Sequence, residues 1–248
     1  MKMVIKVFET PFEVAEALAL EIVDTVNRCK REKRIAAIAV SGGKTPLLFF
    51  TVLADHFSGA ADWSNVHYFW VDERMVPSVS PESNYMIADQ HLFQKISVPE
   101  ENIHRIMGEN DPSGEVIRYA SEIRKYTPER NGYPLFDVVI LGLGEDGHTA
   151  SIFPGDEKLF RLRQVCYETM HPQTGQKRIT ISGRVINNAA AVYFLVAGKN
   201  KATVVNTILG EKPGRRLLPA SRVSPSAGSL YWFLDGEAAS EYRKNEAG

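Results

Sequence analysis

Short, continuously apolar runs recur along this chain and limit what it can fold into: IAAIAV at 35–40, VHYFWV at 66–71, FDVVIL at 136–141, AVYFLV at 191–196 and SLYWFL at 229–234. A strand with one wet face alternates apolar and polar residues. A run without that alternation suits a strand buried on both faces. All are far shorter than the ~18 apolar residues needed to cross a bilayer. Segments of helical period separate them. Val14, Leu18, Ile22 and Val26 repeat every four residues and predict one buried helical face. Strands alternating with helices imply a mostly parallel sheet covered by helices.

The boundaries follow from local signals. A first strand is expected over Met3–Phe8, and Thr10-Pro11-Phe12-Glu13 reads as a capping box opening a helix to about Lys33. Further helices are expected over Pro46–Phe57, Asn84–Phe93, Gly114–Tyr126 and Lys199–Leu209, with a strand over Arg178–Ser182 and a short polar helix closing the chain. No repeat, low-complexity tract or linker divides the 248 residues, so 1–248 reads as one α/β unit.

Charge excludes some functions. Lysine and arginine total 29 and aspartate and glutamate 30, a net charge of −1. A nucleic-acid binder would carry a basic excess, so positive groups that hold an anion must be gathered locally. Cys29 and Cys166 form no C-x-x-C pair and are expected as free thiols in a reducing compartment. The N-terminal MKMVIKVFETPFEV has no apolar signal region. A soluble cytoplasmic protein is expected, without membrane or nucleic-acid partners. The histidines show no metal-ligand spacing, and Trp63, Trp70 and Trp232 are expected in the core.

Three loops at strand ends look chemical, where open α/β sheets place their ligand crevice. Ser41-Gly42-Gly43-Lys44-Thr45-Pro46 lies between a buried strand and a helix. Its glycines allow close backbone approach, and the helix start offers free N–H groups to a phosphate or carboxylate. It is not a Walker A loop, because Ile38 stands where a glycine is required. Asp72-Glu73-Arg74 follows VHYFWV and reads as a charged turn, exposed or functional. Gly142-Leu143-Gly144-Glu145-Asp146-Gly147-His148 follows FDVVIL. It contains G-x-G-x-x-G, but Phe153-Pro154-Gly155 breaks the helix that a dinucleotide site needs. A glycine loop presenting Asp146 and His148 remains, and histidine is the usual general base near neutral pH. Arg178 and Lys201, each taken alone, read as surface charges.

In this order, the loops, together with Val76-Pro77, Ser83-Asn84, Arg178-Ile179-Thr180, Gly198-x-x-Lys201-Ala202 and Pro219-Ala220, resemble the 6-phosphogluconolactonases of the wider glucosamine-6-phosphate isomerase/6-phosphogluconolactonase superfamily. The resemblance spans nearly the whole chain. It implies a Rossmann-like three-layer α/β sandwich and hydrolysis of 6-phospho-D-glucono-1,5-lactone without metal or cofactor. It implies His148 as base, with Asp146 beside it. Gly42, Gly43, Thr45, Arg178 and Lys201 would meet the substrate phosphate, with Lys44 as a further donor. Arg74 would stabilise the oxyanion or hold phosphate, and Asp72 and Glu73 would fix Arg74 or bind hydroxyls. The partner implied is a small phosphorylated sugar lactone, acted on by a monomer or weak homo-oligomer. The sister deaminases are the competing reading. Their ring-opening glutamate falls at Phe153, which cannot exchange a proton.

Overall fold

The computed structural model describes residues 2–242. Its strands are β1 (Lys2–Phe8), β2 (Ala36–Val40), β3 (Val66–Trp70), β4 (Asp72–Arg74), β5 (Ile103–His104), β6 (Glu129–Arg130), β7 (Tyr133–Pro134), β8 (Val138–Leu141), β9 (Cys166–Met170), β10 (Lys177–Ile181), β11 (Ala191–Val196) and β12 (Ser229–Asp235). Its helices are α1 (Pro11–Arg31), α2 (Lys44–Phe57), α3 (Asn84–Ala88), α4 (Pro112–Tyr126), α5 (Gly183–Ile186) and α6 (Ala202–Leu209).

The five apolar runs supply β2, β3, β8, β11 and β12, which with β1 and the two-residue β5, a strand not expected from the sequence, form a seven-stranded sheet in the order β1-β12-β11-β8-β2-β3-β5. Every adjacent pair in it is parallel. β2, β3 and β8 are buried along their whole length, as strands covered on both faces must be. The expected Rossmann-like α/β sandwich is the fold observed. Trp63, Trp70 and Trp232 all lie in the core. No helix among the described residues is long and apolar enough to cross a membrane.

The chain leaves β2 toward β3 on one side of the sheet, while β8 and the strands after it lie on the other. The strand order therefore reverses between β2 and β8. At such a switch point the loops leaving adjacent strands diverge and open a crevice. The Ser41 hydroxyl donates to the Ile140 carbonyl at 2.8 Å and ties the two strand ends together.

Several boundaries differ from expectation for local reasons. The Thr10 hydroxyl caps α1 by accepting from Glu13 N–H at 3.2 Å, but the Glu13 carboxylate reaches Glu9 N–H at 2.8 Å, one residue beyond the cap. α1 stops at Arg31, where Glu32 N–H turns back to Arg28 and Lys33 takes a positive φ of 57°. α2 starts at Lys44 rather than Pro46, because Gly43 (φ 107°) is its cap. The stretch 84–93 is a five-residue α3 followed by a wider π turn. The segment 199–209 opens as a 3-10 turn before α6. β8 begins at Val138, not Phe136. The closing helix falls largely outside the described residues.

The larger departure is a second sheet. Asp72-Glu73-Arg74 is a strand rather than a turn. It pairs antiparallel with β10, which pairs antiparallel with β9, in the order β4-β10-β9. Val71 links this sheet to the main one: its N–H donates to Val40 at 2.9 Å and its carbonyl accepts from Ile181 N–H at 2.8 Å. CYETM is neither apolar throughout nor strongly alternating, so no strand was expected over β9, whose burial runs from a fully buried Cys166 to an exposed Met170.

Candidate active site

An open cleft of about 220 Å³ lies above the switch point. The Ser41–Gly43 loop forms one wall, Gly142–Gly144 and His148 another, and Asp72, Arg74 and Arg178 of the small sheet a third, with Lys201 at the rim. These residues come from five separated parts of the sequence.

His148 and Asp146 form the clearest chemical pair. The His148 Nδ1 lies 2.6 Å from Asp146 Oδ1, and the same oxygen accepts the His148 backbone N–H at 3.1 Å. A carboxylate two residues away can reach the ring because the loop turns tightly, with Gly147 at φ 81°. Gly144 makes room for the pair. A Cβ there would lie 2.1 Å from His148 Nδ1 and 2.5 Å from Asp146 Oδ1. Burial pushes the Asp146 carboxyl up, but its contacts with His148 outweigh this, and its pKa sits below the ordinary carboxylate value. With Nδ1–H held by the carboxylate, the neutral imidazole keeps its free lone pair on Nε2.

Opposite His148 the cleft is cationic. Arg74 on β4 and Arg178 on β10 are directly paired across the small sheet. Like charges in that position repel. Arg178 is buried rather than on the surface. Its guanidinium lies 3.9 Å from Asp72 Oδ2. Burial lowers the Arg178 pKa, and Asp72 draws it back up. The side-chain Nε atoms of Arg74 and Arg178 are both buried without a hydrogen-bond partner among the described residues. Arg74 Nη1 donates to the Glu82 carbonyl. Lys201 is also partly buried, and its pKa is lowered by that burial against the pull of Glu145 and Asp146. Desolvated cations with spare donors suit an incoming anion.

Glu73 stands beneath the cleft and does not line it. It is 1% exposed. Its two oxygens accept from Arg74 N–H at 2.7 Å, Asn84 N–H at 2.8 Å, Tyr85 N–H at 2.9 Å and the Ser83 hydroxyl at 3.0 Å. Burial raises its pKa, and these four donors pull it back part of the way. Glu73 thus fastens α3 to β4 and fixes the backbone of Arg74. Asp72 faces the cleft, accepting the Ser151 hydroxyl at 2.6 Å. Lys44 and Thr45 line an adjoining cavity of about 430 Å³ that shares Gly42, Gly43 and Lys201 with the first.

Some cleft residues were not read from sequence as site residues. Asn84 is one. Its amide donates to the Asp72 carbonyl at 2.9 Å, and it fills the space beside Gly42, where a Cβ would lie 1.9 Å from its Oδ1. Ser151, fully buried between Asp72 and Arg178 and outside the cleft lining, supports both and was likewise not expected as a site residue. Both sit inside the recognised motifs, so adjacency to Ser83 and to the His148 loop was the available signal. Phe153 packs against the imidazole with the rings tilted at 47° and their centroids 4.9 Å apart. No group of three or more side chains suited to hold a metal ion occurs among the described residues.

Comparison with known proteins places this architecture. The chain is 40% identical over 202 residues to the 6-phosphogluconolactonase of Haemophilus influenzae, covering 81% of this chain and 85% of that one. The crystal structure of the devB protein superposes with a TM-score of 0.90 at 36% identity, over 96% of this chain and 99% of that one. The 6-phosphogluconolactonase of Trypanosoma brucei matches with a TM-score of 0.81 at 30% identity, over 96% and 98% of the two chains. The family model for glucosamine-6-phosphate isomerases/6-phosphogluconolactonase matches residues 9–232. The chain belongs to the glucosamine-6-phosphate isomerase/6-phosphogluconolactonase family.

Proposed function

We propose that the protein hydrolyses 6-phospho-D-glucono-1,5-lactone to 6-phospho-D-gluconate, with His148 as general base. The observation that supports this best is the Asp146–His148 pair facing Arg74, Arg178 and Lys201 across one cleft. Relatives bearing the name 6-phosphogluconolactonase match most of the chain.

A δ-lactone is an activated ester. Its hydrolysis needs a placed water, a base and stabilisation of the charge that develops on the carbonyl oxygen. In this reading His148 Nε2 takes a proton as the water oxygen bonds to the carbonyl carbon. Asp146 holds the ring by Nδ1–H and balances the imidazolium that forms. Arg74 faces the developing oxyanion, an interaction worth about 10²–10³-fold in comparable sites. The tetrahedral intermediate then breaks its bond to the ring oxygen, which takes the proton from His148 and becomes the 5-hydroxyl. Arg178 and Lys201, with the N–H groups at the start of α2, hold the phosphate.

Sugar-phosphate deamination is the other chemistry that the family name covers. It needs an acid at the position of Phe153. That side chain is a buried phenyl ring, which favours the lactonase.

His148→Ala is expected to lower kcat by about 10²–10⁴-fold with KM largely kept, the usual worth of a positioned base. Arg178→Gln is expected chiefly to raise KM. Both are read with freshly generated lactone after subtraction of spontaneous hydrolysis. Full turnover by the His148 variant would remove its assigned role, and ammonia release from glucosamine 6-phosphate would overturn the substrate assignment.

A further inference from the structure

Outside the cleft, a concave groove of about 730 Å³ is lined by Phe160, Arg161, Arg215, Arg216, Ser221 and Arg222. Four of these six residues are arginines and none is acidic. In a chain with a net charge of −1, such a concentration is not a matter of composition. No role in lactone hydrolysis uses it.

The arginines are largely unneutralised. Arg215 pairs with Glu211 at 2.5 Å. Arg161, Arg216 and Arg222 have no carboxylate within ion-pair distance among the described residues. Arg222 donates through Nη2 to the Arg216 carbonyl at 3.0 Å, while its Nε is occluded and unpartnered. An occluded donor next to a charged groove costs free energy unless a ligand or water accepts from it.

The groove is also built firmly. Gly214 turns the chain at φ 86°. The Ser221 hydroxyl donates to the carbonyls of Arg215 and Leu218, both at 2.7 Å, and folds the segment back on itself. Phe160 closes the opposite side against Gly183, where any Cβ would lie 2.2 Å from its ring. The same segment touches the catalytic loop: Ala220 N–H donates to the Gly147 carbonyl at 3.0 Å, and Leu218 packs against Gly147.

We infer that this groove is a second anion site, separate from the substrate cleft, which takes a small ligand carrying more than one phosphoryl group. Guanidinium forks match phosphate oxygens in pairs, unlike the point charge of lysine. A concave pocket of this volume fits a small molecule.

The test uses sodium tripolyphosphate as probe and isothermal titration calorimetry on the full chain. The cleft is first disabled by Arg178→Gln with Lys201→Gln, so that remaining binding is outside it. This protein is expected to bind the probe at one site. Adding Arg161→Gln and Arg216→Gln, both at exposed positions, is expected to weaken that binding by about tenfold or more. In parallel, the arginine Nε–H resonance of Arg222 is expected to shift during titration of the wild-type protein. Melting curves without the probe check that each variant is folded, and Arg216→Gln alone replaces the pair if it is not. The inference is overturned if the cleft variant binds no probe, if the groove substitutions leave the affinity unchanged, or if the Arg222 resonance does not move.

Discussion

At the scale of single residues, the site depends as much on what is missing as on what is present. The His148–Asp146 contact exists because Gly144 has no side chain. A methyl group there would overlap both partners, and neither the imidazole nor the carboxylate could keep its place. Gly144→Ala is expected to lower kcat nearly as far as loss of the base itself, about 10²–10⁴-fold, with far-ultraviolet circular dichroism unchanged. Near-normal turnover by a folded Gly144→Ala protein would show that the pair is not needed in this geometry. The glycine was visible in the sequence, but its purpose was not. G-x-G-x-x-G suggests close approach of a nucleotide phosphate, and the atoms that crowd Gly144 belong to the protein's own histidine and aspartate. Likewise the sequence left Glu73 either to fix Arg74 or to bind hydroxyls. Only the four donors around it show that it holds backbone rather than substrate.

Elements place charges side by side that local sequence keeps far apart. β5, the edge strand, pairs with β3 so that His104 lies opposite Phe69 and within reach of His67. His67 Nδ1 lies 2.8 Å from His104 Nε2, and His104 Nδ1 lies 2.8 Å from Glu122 Oε1 on α4. The ring of Phe69 stacks on His104, and that of Tyr126 packs against it at a tilt. Lys125 and Arg118, also on α4, act against a positive charge on His104, while Glu122 favours it. Burial and the neighbouring His104 push the His67 pKa down to about 4, and burial lowers His104 as well. A histidine whose folded pKa lies below its unfolded value of about 6.5 stabilises the fold in its neutral form. Its contribution is complete above about pH 6.5 and is lost as the pH falls toward 4. The melting temperature is therefore expected to drop between pH 7 and about pH 4.5. His67→Gln keeps a donor toward His104 and removes the titration, so its drop is expected to be smaller. Equal drops in the two proteins would sink this account.

For the whole molecule, the two thiols report on global unfolding. Cys29 on α1 and Cys166 on β9 are both fully buried. Burial raises the Cys29 pKa to about 11 and raises Cys166 further. Neither is a thiolate at neutral pH in the folded protein, and neither is reachable. A thiol-reactive disulfide reagent is expected to label no cysteine in the native state and both in denaturant, with the two rates converging on the unfolding rate. Fast labelling of one thiol in the native protein would reveal local opening of its layer.

The apolar runs by themselves determined five of the seven strands of the central sheet, because a strand without a polar face has nowhere to go but between two covering layers. The loops expected to carry the chemistry follow three of these strands, since a loop leaving a buried strand must emerge at the sheet's edge. Several helix boundaries were legible to within a few residues from caps and glycines, which are local. The tertiary structure alone decided which distant residues meet. Arg74 faces Arg178 only because β4 pairs with β10, a contact between residues 104 positions apart whose register no short-range pattern encodes. The burial of Glu73, the contact of Asp146 with His148 and the arginine groove around Arg222 have the same origin. Periodicity tells a segment which face to bury, whereas charge pairing and spare donors depend on what that face is buried against.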